Sequence, residues 1–463
     1  MADAPMDKCP FTPPYPVPHK SKASLVKRFF TGWTSWIHTL FERSYTMKMG
    51  EIHLPRLDFY IANELSIVER VMTDADREFP KHKFLSDFVE PLIGQSVFNT
   101  NGKVWDDQRR MINPAFAHTN LKRVYDLMSD AVADMLAYLR AQDLTQPIDI
   151  DPVMTHVTAD VIFRTMFSVS LNRDEALQIH HAFTRFQRNA QPGAMLHLYG
   201  LPGFGFPKRA LRASAEIHKV FEPLVRGRYD AFHRGEMPEK PDILHSLLEA
   251  RHPETGEPFG FQELIDQIAL IFLAGHETSA SALSWALYLL SESQDLQEDL
   301  HAEIVAAAGD GPIGFEHLKG MEGVRNLFRE TLRLYPPIGF FARAITKPTV
   351  MREKPMKPGA MIVISPWLIQ RNKENFSCPH SFDPDRFTRP EEAEAVKSAY
   401  MPFGKGPRIC VGAGFAQQEA MLVLAEIIRA FRLRYPAGPK PEPVSRLTLR
   451  PKKGIRLRLS LRG

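Results

Sequence analysis

Residues 403–412 read Phe403-Gly404-Lys405-Gly406-Pro407-Arg408-Ile409-Cys410-Val411-Gly412, and this stretch constrains the chain more than any other. One cysteine stands in a loop built from three glycines and a proline, with an arginine two residues before it. An apolar-rich helical pattern follows from Phe415 onward. A glycine-rich backbone approaches a bound group closely and turns its N–H groups toward a sulfur. A thiolate at the start of a helix is further stabilised by the helix dipole. Arg408 offers a charged fork that matches a carboxylate. A thiolate beside a carboxylate-binding cation points to haem, whose iron takes an axial cysteine and whose propionates need cations.

The rest of the composition narrows the class. The cysteines are Cys9, Cys378 and Cys410, an odd and sparse set that argues against a disulfide framework and fits a reducing compartment. It also excludes a self-contained four-cysteine iron–sulfur cluster. Cys378, in Ser377-Cys378-Pro379-His380, lacks both the glycines and the arginine at minus two and is not expected to be the ligand; Cys9 lies in the N-terminal arm and reads as a bystander, and the loop features point to Cys410 as the metal ligand. A net charge of +4 makes no case for nucleic-acid binding. Neither a secretory signal nor an apolar run of about eighteen residues is visible, so a transmembrane anchor is not expected and the location reads as cytoplasmic. The 31 phenylalanines favour a large aromatic core or pocket.

The spacing Phe-x-x-Gly-x-Arg-x-Cys-x-Gly resembles the haem-thiolate signature of the cytochrome P450 family. That resemblance implies a mainly α fold with a small β region, built as a single haem domain around haem b (iron protoporphyrin IX). The domain would cover 24–463, after a proline-rich arm at 1–23 carrying Pro10, Pro13, Pro14, Pro16 and Pro18. Phe403, Gly404, Arg408 and Gly412 would surround the cofactor with Cys410. Trp105 and Arg109, at i,i+4 spacing, match the pair that bonds the propionates, and Arg343 is placed to reach one too.

A second stretch supports the resemblance. Phe261 to about Ser291 reads as a long helix whose run Ile268–Ala274 is apolar on every face, hence central and buried. Within it comes Ala274-Gly275-His276-Glu277-Thr278-Ser279. Glycine costs about 1 kcal/mol there relative to alanine, and buried polar groups cost more unless partnered. Ala274 and Gly275 would let a flat cofactor lie against the backbone, and Thr278 could bond back to a carbonyl and open the helix locally. The stretch resembles the family's oxygen-activation motif, with Glu277 and Thr278 relaying protons, and is similar to that of fatty-acid hydroxylases.

Elsewhere the expectations are coarser. Leu25 to Phe41 carries apolar residues at helical spacing beside Lys27 and Arg28, and two readings stay open: a helix docked on the core, or peripheral contact with a membrane surface. Residues 51–54 and 59–62 read as strands and 64–73 as a helix, while 80–100 is irregular. Helical patterns fill most of 119–250, broken at Gln191–Lys208 by glycines and prolines, where the resemblance places a mobile lid. Glu330, Arg333 and Arg386 match the family's buried structural triad, with Asp385 where glutamate is usual. Gln370-Arg371 stands where many relatives have His-Arg, leaving the histidine's role open. Ile338–Phe341 and Met361–Ser365 read as apolar strands, and Leu447–Arg450 with Ile455–Leu461 as a closing hairpin.

The resulting expectation is a monooxygenase that takes O2 and electrons from a separate ferredoxin or flavodoxin with its reductase. It would hydroxylate or epoxidise a hydrophobic fatty acid, terpenoid or aromatic in a pocket walled by Phe88, Val97, Phe98, Phe272, Ile338 and Phe340. Lys103, Arg110, Lys122, Arg123 and Lys405 would offer the donor a basic face. The rivals are a peroxygenase, a haem-thiolate isomerase or dehydratase, and a haem sensor.

Overall fold

The structure, a computed structural model, describes residues 11–74, 77–171, 173–236 and 241–462. Its axis is the helix Phe261–Ser291, buried over nearly its whole length. The helix starts where the Glu263 carboxylate accepts from the Gly260 N–H at 3.0 Å, a reciprocal cap on otherwise orphan donors. Helices Ile150–Phe167, Phe206–His233, Glu322–Leu334 and Ala413–Ala430 pack around it. Gly275 permits the closest of these approaches. A Cβ there would lie 2.8 Å from Ile162 Cγ1, so any larger residue would push the two helices apart.

To one side lies a four-stranded sheet in the order Met49–His53, Asp58–Ala62, Met361–Ile364, Phe341–Ala344. The two middle strands run parallel and both outer pairings are antiparallel. The mainly α architecture with small sheets is the one expected.

Four local expectations differ. Residues 80–100 contain the helix Lys83–Ile93, whose Val89, Leu92 and Ile93 are buried. The helix Arg173–Leu198 runs through Pro192 and Gly193, and the break comes later, before Phe206. Burial of Leu196 and Leu198 outweighs the lost backbone bond at proline. Ile338–Phe340 precede the strand, which begins at Phe341. At the C-terminus the two strands do not pair with each other: Leu449–Pro451 pairs with Pro443–Ser445, and Arg456–Leu461 pairs with Ile148–Asp149 and Phe431–Arg434. Alternation reveals a strand but not its partner.

The proline-rich arm packs more than its composition predicts. Phe11 O accepts from the Phe382 N–H at 2.8 Å, Pro14 O accepts from the Tyr335 hydroxyl at 2.7 Å, and Tyr15 stacks on His380 at 4.4 Å. Cys378, beside this contact, is disulfide-bonded while Cys410 is free, which corrects the expectation drawn from cysteine count alone. Cys9 lies outside the described residues.

The N-terminal helix spans only Leu25–Gly32. It docks through Phe29 on Tyr199, while Val26 and Phe30 stay exposed. Among the described residues no helix is long and apolar enough to cross a membrane.

Candidate active site

The cysteine loop owes its shape to its glycines. Gly404 and Gly406 have φ of 79° and 69°, and a Cβ on Gly406 would collide with the Met72 carbonyl. The Cys410 N–H donates to Phe403 O at 2.9 Å, closing the loop before the helix Ala413–Ala430. Cys410 itself is exposed, but the protein atoms packed around its thiol push its pKa above the usual value, opposed by the Gly412 N–H and the charge of Arg109. A thiol raised by desolvation and aimed at by an N–H and a guanidinium is suited to ligate a metal as thiolate, the metal supplying the missing positive charge.

Around this loop the structure gathers the cations that the sequence placed far apart. Arg109 donates to Ile409 O at 2.8 Å, and the Arg408 guanidinium lies 4.3 Å from the Trp105 ring centroid while donating to Thr100 O at 3.1 Å. Arg343 is buried and donates to Ala342 O at 3.2 Å, its one side-chain hydrogen bond among the described residues. Lys81 joins them, its Nζ 3.5 Å over the Phe98 ring. Burial and the charges of Arg343, Arg408 and Arg109 hold Lys81 well below the usual lysine range. Arg343 and Arg408 are likewise brought down to about 10, chiefly by desolvation. Such a concentration of like charge needs anions, and Asp74 is the carboxylate acting on both arginines. Two propionates would supply what is missing. Sequence reasoning did not single out Lys81, because a lysine between aromatic residues in a segment without periodicity carries no signal of its own.

The central helix presents one accessible strip. Ala274 is exposed and Thr278 half-buried, in a helix otherwise almost wholly buried. Residues four apart share a helix face, so this strip is flat and small. The Thr278 hydroxyl donates to Ala274 O at 2.6 Å, and the helix continues unbroken through the bond. Phe272 is on the opposite side, fully buried against Phe221 at 4.8 Å and His276 at 4.8 Å, so it belongs to the core and not to a pocket wall. Phe88, Val97, Ile338 and Phe340 are half-buried, and Phe98 is 40% exposed. Gly275 serves the contact with Ile162 described above rather than the strip.

Glu277 has a different setting from the one expected beside Thr278. It points into the protein, where Arg450 donates twice, at 3.0 and 2.7 Å, Thr448 once at 3.1 Å and Gln187 once at 3.3 Å. Burial alone would raise its pKa, but the Arg450 charge wins and brings it down to about 2. Arg450 is itself shared with Asp151 at 3.0 Å. In this arrangement Glu277 is an ionised anchor for the C-terminal segment. Its partner was invisible in sequence because Thr448 and Arg450 alternate with apolar residues as an outward polar face would.

Beneath the loop, Glu330, Arg333 and Arg386 are fully buried and joined. Arg333 donates to both Glu330 oxygens at 2.7 and 2.8 Å and to the carbonyls of Gln370, Pro379 and Ser381, which occupies all five of its N–H groups. Arg386 reaches Glu330 at 3.2 Å and also Glu392 at 3.3 Å. Gln370 donates to Leu332 O and Arg333 O and accepts from the Met401 N–H at 2.8 Å, tying the helix end to the cysteine loop.

The thiol, the cation cluster and the small accessible strip together fit haem. The family model described as Cytochrome P450 matches residues 26–459. Cyclooctatin synthase of Streptomyces melanosporofaciens is 28% identical over 86% of this chain and 86% of its own length. Cyclooctat-9-en-7-ol 5-monooxygenase of the same organism is 30% identical, over 83% of this chain and 82% of its own. Cytokinin hydroxylase of Arabidopsis thaliana is 27% identical, over 94% and 84%. The chain is therefore a member of the cytochrome P450 family, a haem b monooxygenase.

Proposed function

We propose that this monooxygenase hydroxylates or epoxidises a hydrophobic substrate, with Thr278 controlling what happens to dioxygen and a separate protein supplying electrons. The observation that carries this reading is Thr278 itself: an alcohol on the accessible strip of the central helix, held by Ala274 O. Haem b, once bound, would supply dioxygen activation, and Cys410 would hold its iron as a thiolate. The Thr278 hydroxyl, once turned from Ala274 O, donates a hydrogen bond at the strip and holds the water that carries a proton there.

Thr278→Ala keeps the helix, alanine being the better helix former, but removes the donor. Donor oxidation should continue near its normal rate while product falls and hydrogen peroxide rises by a matching amount. Donor absorbance, product mass spectrometry and a peroxide assay measure the three. Ser279 offers no substitute hydroxyl, since it is buried off the strip. Full coupling in the variant would instead favour a peroxygenase, an isomerase or dehydratase, or a sensor.

For the substrate, half-buried Phe88, Val97, Ile338 and Phe340 support an apolar molecule: a fatty acid, terpenoid or aromatic. The relative named for cyclooctat-9-en-7-ol supports a cyclic hydrocarbon among these.

For the donor, a ferredoxin or flavodoxin, the proposed basic face is thinner than its residue list. Lys103 is paired with Asp107 at 2.9 Å and Glu254 at 2.7 Å, Lys122 with Glu316 at 3.2 Å, and Lys405 with Glu69 at 2.7 Å. Arg110 and Arg123 are exposed and carry the proposal. Arg110→Glu with Arg123→Glu should slow reduction by an acidic donor about tenfold at low salt, with the difference shrinking as ionic strength rises. Stopped-flow reduction rates independent of both charge and salt would remove this face from consideration.

A further inference from the structure

Arg371 is a buried cation whose guanidinium is left unbonded. The residue is 2% exposed, and among the described residues neither Nε nor Nη1 finds a hydrogen-bond partner, carboxylate or carbonyl. The arginines beneath the cysteine loop show the ordinary arrangement. Arg333 has two bonds to Glu330 and three to carbonyls, and Arg386 has Glu330 and Glu392. Arg371 instead lies against ring faces, its Cζ 3.6 Å from the Trp367 ring centroid and 5.8 Å from that of Tyr335. A ring face recovers part of what a cation loses on burial, but it completes no N–H bond in the plane of the guanidinium.

The groups around Arg371 are donors. The Trp367 indole N–H donates to the Tyr45 hydroxyl at 3.1 Å, which leaves the Tyr45 proton for a second partner. The Tyr45 ring lies 5.6 Å from that of His380, whose buried Nδ1 is another orphan. Tyr15 of the N-terminal arm stacks on the same imidazole at 4.4 Å, and Pro14 O accepts from the Tyr335 hydroxyl at 2.7 Å. Four rings and the arm thus enclose one positive charge. Burial brings Arg371 down to about 10, and burial with the charges of Arg371 and Arg333 brings His380 down to about 3. Both shifts have the sign expected where positive charge lacks a counterion.

A water molecule would accept one or two of these N–H groups and leave the charge uncompensated in a medium of low polarity. A cation has nothing here to hold it. A small monovalent anion satisfies the donors and the charge together.

We propose that Arg371, with Tyr45 and His380, forms an internal binding site for one small monovalent anion of the halide class, and that this anion fastens the N-terminal arm to the protein beneath the cysteine loop. Arg371 donates from Nε and Nη1, Tyr45 from its hydroxyl, and His380 from Nδ1 in the tautomer that carries its proton there. The neighbouring Gln370 accepts from the Met401 N–H at 2.8 Å, so the site adjoins the support of the haem loop. The proposal does not depend on the reading of Thr278.

The test uses the holoenzyme, with bromide as the probe. Crystals grown in sodium bromide should show an anomalous-scattering peak against Arg371 Nε and Nη1. In solution, sodium bromide replaces sodium gluconate at constant ionic strength. The melting temperature of the native protein should rise by about 3 °C and level off, as a single saturable site requires. Trypsin cleavage at the exposed Lys20 and Lys22, which follow the arm's contacts, should slow over the same bromide range.

Arg371→Met keeps an unbranched side chain against Trp367 and removes the charge. Its melting temperature should ignore bromide, and in gluconate it should equal or exceed that of the native protein, because a buried unpaired cation is gone. If that variant fails to fold, His380→Phe serves: it keeps a ring against Tyr15 and removes Nδ1, and should raise the bromide midpoint about tenfold. Bromide peaks confined to exposed residues would be adventitious ions only and would overturn the site. So would a native melting temperature that bromide leaves unchanged.

Discussion

Cys410→Ser, reduced under carbon monoxide, is expected to lose the red-shifted Soret band of a thiolate-ligated haem and to lose monooxygenase turnover altogether. A serine hydroxyl is a far weaker acid than a thiol, and the site already works against ionisation: partial desolvation by the surrounding loop raises even the thiol. The Gly412 N–H and Arg109 oppose that desolvation. They suffice for a thiolate bound to iron and not for an alkoxide. The loop should keep its conformation, since that depends on Gly404, Gly406 and the Cys410 N–H bond to Phe403 O rather than on sulfur. The control is Cys378→Ser, which removes a disulfide-bonded cysteine next to Pro379, whose carbonyl accepts from Arg333, and should leave the Soret band in place. Loss of the band in Cys378→Ser with retention in Cys410→Ser would refute the ligand assignment.

Arg450→Leu should be the most destabilising single change outside the cysteine loop. It strips Glu277 of two donated bonds and leaves an ionised carboxylate buried, a situation that typically costs 3–5 kcal/mol. Asp151 loses its share of the same guanidinium. Chemical denaturation of the holoenzyme measures the loss. Glu277→Gln added to Arg450→Leu should recover much of it, because the uncompensated charge is gone, and the double-mutant cycle isolates the pair. The pH dependence has a definite sign. Glu277 has its pKa lowered from 4.5 to about 2, so its contribution is fully present above 4.5 and is lost as pH falls toward 2. The native protein should show that acid-side loss and Arg450→Leu should not. A destabilisation under about 1 kcal/mol would mean that water or rearrangement solvates Glu277, and that the pair is not an anchor.

What could be read from the sequence alone was local. The cysteine loop, the bounds of the central helix at Phe261 and Ser291, and the i,i+3 pair of Glu330 with Arg333 each announce themselves within a few positions. Helical and loop geometry ties such neighbours together whatever the rest of the chain does. The Thr278 bond back to Ala274 was legible for the same reason, being an i,i−4 contact.

What only the tertiary structure decided were the partners of buried charges and the identity of faces. Lys81 joins Arg109, Arg343 and Arg408 across more than three hundred residues of chain. Arg450 claims Glu277 from the C-terminal segment, and Gln370 bridges a helix end to the cysteine loop. In each case the energy lies in desolvation and in who stands opposite. A sequence records that a glutamate is present; whether it is a free surface acid or an ionised anchor depends on which distant residue the fold brings opposite it, as Arg450 is brought to Glu277 at 2.7 Å.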